Sequence, residues 1–377
     1  MLSRNSDGEN MVCDRCGPSK ELGYSFCPQC GNPLNEGCVY CAQYEMEGYE
    51  YCGKCGRHLE KREPVVRKNA GPLKMAAMFS IPFIALALVI EIAMMLYYSG
   101  EGLSYVAENG TSFFLLLPTI VKTGTFYGTG AEVYFILIMV AIIASMALVL
   151  YQSLGALKPR SDGDTSRAEK TPLYAIALLF GSTYIIELII MGIMTLTGHG
   201  MEVPDWIADM TLGETIFEMA EAAVIEEIAA RLVIIGIPMA LLALCYGRKD
   251  FLKNLLGGFG MSRVAVVLLI ASATIFAFAH MGSWGIEKVF PTVIGGLALG
   301  YLYIQYGIHA SIMFHFLTDY LSVILYLNSV VAVALLLIIL VAGAVCMVEL
   351  FRRTYVGVRS IPKLPVSGFE SDHSEKE

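Results

Sequence analysis

Charge is what this sequence has least of. Asp, Glu, Lys and Arg make up 16% of its 377 residues and hydrophobic residues 56%, whereas soluble domains carry about 25% charged residues. Several apolar runs exceed about 18 residues, the length that spans a bilayer. An ordinary soluble globular protein is therefore excluded. No apolar h-region opens the chain, because its first 70 residues are polar, and no secretory signal is expected. The net charge of −8 says little about partners, since the charges are unevenly placed. Histidine occurs only six times, so each one inside an apolar run needs a reason.

Cysteine is concentrated at one end. Eight of the ten cysteines fall in the first 55 residues. They form four Cys-x-x-Cys pairs: Cys13 with Cys16, Cys27 with Cys30, Cys38 with Cys41, and Cys52 with Cys55. The second four repeat the first four with a period of 25 residues. Each unit can supply four thiolates to a tetrahedral ion, and units this small need metal to fold. Segment 1–60 resembles a tandem zinc ribbon, with units 13–30 and 38–55 and two structural Zn2+ ions. A rubredoxin-like iron site or a redox thiol set is the alternative. Four cysteines leave no open coordination position, so the expected role is structural. The residues between them are not notably basic. No nucleic-acid partner is expected, and a cytoplasmic protein partner is the favoured one. Cys245 and Cys346 lie in apolar segments as small packing residues.

A basic linker, 61–74, precedes the first span. Spans are expected at about 75–98, 132–154, 173–196, 216–245, 264–280, 290–306, 308–327 and 330–350. Segment 99–130 reads as a Gly/Ser/Thr-rich loop whose apolar piece, 113–121, is too short to cross and is re-entrant or interfacial. With the N-terminus cytoplasmic, the outside loops hold only Lys122 and Lys288, as the positive-inside bias requires. The expected fold is an all-α polytopic membrane protein of about eight transmembrane helices, preceded by the two ribbon units. Both termini are cytoplasmic. Its divisions are N-terminal helices at 75–169, a core at 170–330, a last helix at 331–350 and a tail at 351–377.

Within the apolar segment 216–245 stands Glu226-Glu227-Ile228-Ala229-Ala230-Arg231. Charges in hydrocarbon are expensive, so they face partners or wet cavities. On a helix Glu227 and Arg231 share a face and can pair. Glu226 points about 100° away and is left available. Two other polar sets follow. His280 comes four residues after Phe276, near the end of span five. His315 and Asp319, four apart in span seven, can hydrogen-bond and fix the histidine tautomer. Glu91 and Glu187 are also intramembrane; either could line a cavity, and structural pairing is the favoured expectation. His309 faces away from His315 and is excluded. Glu226 and Glu227 as an inert buried pair with Arg231, interior histidines and a His315–Asp319 helix contact are the plain readings of these motifs taken singly.

Glu-Glu-x3-Arg, Phe-x3-His and His-x3-Asp, in that order on successive membrane helices, resemble the CPBP family. These are intramembrane glutamic endopeptidases related to type II CAAX prenyl endopeptidases and to ABI proteins. The resemblance covers about residues 170–330. It implies that Glu226 activates water as general base and that His280 holds that water. His315 and Asp319 would stabilise the oxyanion, with Glu227, Arg231 and Phe276 in support. Related prenyl endopeptidases have Asn where this chain has Asp319. An ionised Asp cannot donate to an oxyanion, so Asp319 is either protonated or serves only to orient His315. The implied substrate is a membrane-embedded or lipid-anchored peptide. Gly-x-Ser-x-Gly and His-Glu-x-x-His are both lacking, and neither free cysteine is near the motifs, which argues against serine, thiol and zincin chemistry. Two alternatives stay open: one zinc held by Glu226, His280 and His315, and a non-catalytic membrane scaffold that uses the ribbons to recruit a partner.

Overall fold

The computed structural model describes Pro18 and residues 77–357, apart from 118, 157–166, 248, 249 and 328. The eight cysteines expected to bind zinc, namely Cys13, Cys16, Cys27, Cys30, Cys38, Cys41, Cys52 and Cys55, lie outside the described residues. So do the basic linker and the tail beyond 357.

The described chain is a helical bundle. In order come α1 (Ser80–Tyr97), α2 (Ser99–Asn109), β1 (Thr111–Leu117), β2 (Thr119–Phe126), α3 (Thr129–Leu154), α4 (Pro172–Leu196) and α5 (Asp205–Ala208). Next, α6 (Leu212–Glu227) runs without a break through a π-helical segment, Ile228–Gly236, into α7 (Ile237–Cys245). After these come α8 (Phe251–Leu256), α9 (Arg263–Trp284), α10 (Val289–Tyr306), α11 (Ile308–Leu327) and α12 (Ser329–Gly357). Among the described residues seven helical segments are long and apolar enough to cross a membrane, and the protein is an all-α polytopic membrane protein. About eight were expected. The difference is α11, whose apolar part, Ile308–Ile324, is shorter. That helix carries His309, His315 and Asp319 and lies inside the bundle, with Met313, Phe316 and Val323 fully buried. A helix surrounded by other helices does not need the uniform apolarity of one facing lipid.

Segment 99–130 departs from the expected loop. It forms α2 and then an antiparallel hairpin paired from Thr111↔Phe126 to Leu117↔Thr119, with an irregularity between Phe113 and Phe114. Backbone N–H groups in apolar surroundings must be satisfied within the chain, and strand pairing does this where Thr, Val and Phe disfavour a helix. Gly110, at φ 75°, makes the sharp exit from α2. Thr111 Oγ1 donates to Glu221 at 3.2 Å, which ties the hairpin to α6.

The turn from α10 to α11 fixes the depth of the polar residues. Gly307 sits at φ 114°, a conformation that favours glycine. The backbone N–H groups of Gly258 and Gly260 donate to Tyr303 and Ile304 at 2.9 Å each. The loop after α8 thus covers this turn, so α11 starts beneath a layer of protein. On the other side of the bundle α4 and α12 cross at Gly181 and Gly343, where a Cβ on Gly181 would lie 2.9 Å from the Gly343 Cα. Small residues permit such close backbone approach. Gly343→Val should push the helices apart and lower stability by about 1–3 kcal/mol, seen as a lower Tm in detergent. An unchanged Tm would show that the crossing tolerates a side chain.

Candidate active site

The local sequence explains why Glu226 and Glu227 end their helix where they do. Thr211 caps α6 by accepting the N–H of Glu214 at 3.3 Å, and Thr-x-x-Glu is a capping-box pattern. Pro238, in the first turn of α7, has no N–H to return to the carbonyl of Ile234, and its ring crowds that carbonyl. The chain relieves the conflict over Ile228–Gly236 by opening into a π-helix, a feature frequent at functional sites. Gly236 lets this wide turn pack against the Tyr303 hydroxyl and the Leu255 carbonyl.

The two glutamates have different surroundings. Glu227 is 0% exposed. Its Oε1 lies 3.2 Å from Arg231 Nη1 and accepts from His315 Nδ1 at 2.8 Å, while its Oε2 accepts from the Ser311 hydroxyl. Arg231 is equally sealed, with its guanidinium 4.3 Å above the Phe276 ring and Nη2 donating to Gly296 O at 3.4 Å. Its Nη1 contact with Glu227 is ionic rather than an aligned hydrogen bond, and its Nε has no hydrogen-bond partner among the described residues. Glu226 is 17% exposed, and its Oε2 lies 3.8 Å from His280 Nε2 and 3.6 Å from His315 Nε2. These separations are too long for direct hydrogen bonds and ask for a bridging water. His280 Nδ1 sits 2.9 Å from the Phe276 carbonyl, so Nδ1–H donates there and Nε2 of the neutral ring is an acceptor. Glu226 Oε2 and His280 Nε2 are then two acceptors facing one spot, which suits a water that donates to both.

All four residues expected to be catalytic therefore come together: Glu226 from α6, His280 from α9, and His315 and Asp319 from α11. Asp319 Oδ2 lies 3.3 Å from His315 Nε2. Phe276 packs against both imidazoles, with ring centroids 4.7 and 6.1 Å away. Sequence spacing did not reveal the Glu227–His315 contact or the part of Ser311. Both join α6 to α11, and helical periodicity reports only contacts within one helix. His309 stands apart, 3.0 Å from Gln152.

A cavity of ≈ 130 Å³ opens beside the cluster, lined by His280, His315, Asp319, Thr318, Glu187 and Lys288 among others. Glu187 was expected to be structurally paired. It forms no ion pair among the described residues and faces this cavity instead. Lys288 lies 4.2 Å above the Trp284 ring, and Trp284 packs edge-on against Trp206 at 5.8 Å. Trp and Lys gather where a membrane helix meets water, so the cavity sits close to the membrane face bearing the 285–288 turn.

The fold and this cluster define a polytopic membrane protein with two imidazoles and three carboxylates gathered between its helices. Residues 209–321 match the family model described as type II CAAX prenyl endopeptidase Rce1-like, a protease family. The matched stretch runs from just before α6 into α11 and contains Glu226, Glu227, Arg231, His280, His315 and Asp319. This supports the resemblance to the CPBP family at the level of a peptidase. No curated protein and no solved structure matches the chain.

Proposed function

We propose that this protein is a metal-independent intramembrane endopeptidase in which Glu226 activates water to cleave a membrane-embedded or lipid-anchored peptide. The observation that carries the reading is the convergence of a partly exposed Glu226 with two imidazoles, while the adjacent Glu227 is sealed by Arg231. Glu226 takes a proton from the water as its oxygen attacks the scissile carbonyl. His280 accepts the second water hydrogen and fixes the nucleophile's direction. His315 gives Nδ1–H to Glu227, and its Nε2–H serves the oxyanion of the tetrahedral intermediate. The C–N bond then breaks, and the proton held by Glu226 passes to the leaving amine. Glu227 already orients the ring through Nδ1, so Asp319, 3.3 Å from Nε2, is a second acceptor at the nitrogen that turns to the oxyanion and takes no proton itself. Asp319→Asn should keep cleavage within about 10-fold of wild type, whereas loss of a general base removes about 10²–10⁴-fold. A loss of the larger size in Asp319→Asn would make Asp319 part of the proton chemistry.

In the same reading the eight N-terminal cysteines hold two structural zinc ions on the cytoplasmic side, where they recruit a protein partner, and both termini are cytoplasmic. Cys13, Cys16, Cys27 and Cys30 would hold one ion, and Cys38, Cys41, Cys52 and Cys55 the other. The charge bias of the loops supports this orientation. Zinc content tests the metal-free scheme. Two zinc ions per chain are expected in the full protein, and none once all eight cysteines are Ser. One zinc per chain left in that variant would mean that Glu226, His280 and His315 form a metal site.

A further inference from the structure

Outside the catalytic cluster the bundle holds a second opening, a groove of ≈ 660 Å³ between α1, α11 and α12. Its walls are apolar, with Phe83, Leu86 and Ile90 of α1 exposed along it and Leu335 and Ile338 of α12 opposite. One carboxylate lies in this wall. Glu91 is 1% exposed, and its Oε2 has no hydrogen-bond partner among the described residues. A buried polar atom without a partner is costly, and an ionisable side chain at membrane depth points to a function with a specific partner.

We propose that this groove binds a transmembrane helix of the substrate, and that Glu91 receives a hydrogen-bond donor from that helix. Depth selects the occupant. Glu91 lies roughly 16 Å from the Ser80 end of α1 and roughly 9 Å from its Tyr97 end at 1.5 Å per residue. Bilayer lipids carry their polar groups at the interface, not at this depth. A Ser, Thr, Asn, Gln or Lys side chain on a spanning helix supplies a donor there. The groove also adjoins the catalytic cavity. Phe180 lines both, and on one turn of α11 Leu317 and Leu321 face the groove while Thr318 and Asp319 face the cavity. A helix seated in the groove would present its unwound end, past Phe180, to the cavity lined by His280, His315 and Asp319. This role as a substrate exosite rests on the peptidase reading; the binding itself does not.

The test is photo-crosslinking in vesicles of the full chain bearing Glu226→Gln, so that binding is read without cleavage. The probes are two 22-residue Leu/Ala peptides carrying a diazirine, one with a single central Asn and one without. The Asn peptide should label α1 and α12 roughly 3- to 20-fold more than the plain one. Glu91→Gln, which keeps an acceptor, should preserve the difference, and Glu91→Leu should abolish it. Leu335→Trp, which fills the groove from α12 and leaves the Glu91 carboxylate in the chain, should block labelling by both peptides and provides a second variant if Glu91→Leu does not fold. Equal labelling by the two peptides, or a preference that survives Glu91→Leu, would overturn the proposal. Selective labelling with no cleavage of any peptide by the wild-type chain would keep the site and remove only its link to proteolysis.

Discussion

Replacing Glu226 by Gln is expected to reduce peptide cleavage by about 10²–10⁴-fold, the usual contribution of a positioned general base, with little change in Tm. The two parts of this result come from different features of the site. Gln keeps the shape and one carbonyl oxygen, so the water can still be held near His280 Nε2, but the amide cannot take its proton. Stability should barely move because Glu226 is partly exposed and both imidazole nitrogens lie beyond hydrogen-bond distance, at 3.8 and 3.6 Å. His280→Ala should also abolish cleavage in a folded protein, since it removes the second acceptor for the water. Reconstituted protein, incubated with solubilised membrane proteins and read as new peptide N-termini, would measure both variants. Full cleavage by Glu226→Gln would remove Glu226 from the chemistry.

The neighbouring residue should behave in the opposite way. Arg231→Ala is expected to destabilise the bundle by about 3–5 kcal/mol, the cost of leaving one member of a buried ion pair uncompensated. Both side chains are 0% exposed, so water cannot take over the missing charge. The loss also removes the cation stacked on Phe276, whose backbone carbonyl receives His280 Nδ1–H and so sets that ring. The double variant Glu227→Gln/Arg231→Met should recover much of the stability, because it buries no unpaired charge. It should not recover full cleavage, since His315 Nδ1 then donates to a neutral amide instead of a carboxylate. Thermal unfolding in detergent, run beside the cleavage assay, separates the two effects. Equal Tm values for wild type and Arg231→Ala would mean that the pair carries no structural load.

Much of this site was legible in the sequence because membrane helices make polar residues rare. Glu226, Glu227, Arg231, His280, His315 and Asp319 stood out against apolar surroundings, and four-residue spacing paired Glu227 with Arg231 and His315 with Asp319. What stayed hidden was interhelical. Glu227 binds both Arg231 on its own helix and His315 on another, and only packing shows the second contact. The setting of His315 is likewise a matter of packing, because the turn at Gly307, where α11 begins, is covered by the loop after α8. The hairpin at Thr111–Phe126 was hidden by composition, because its Gly, Ser and Thr content is also that of a loop. For Glu91 and Glu187 pairing was the favoured expectation and cavity lining the alternative, and each faces an opening in the bundle. A sequence can mark an intramembrane carboxylate as costly, but it does not say whether the compensation is a salt bridge or a visiting molecule.

The most direct measurement of the central claim is a comparison of membrane-fraction proteins from cells carrying the wild-type chain and cells carrying Glu226→Gln. The two proteins should accumulate to the same level. In the variant at least one membrane protein should persist as an uncleaved precursor, and its product, with a new N-terminus, should appear only with the wild type. Identical precursor and product patterns in the two cell lines, with the variant folded and present, would contradict a glutamate-dependent peptidase.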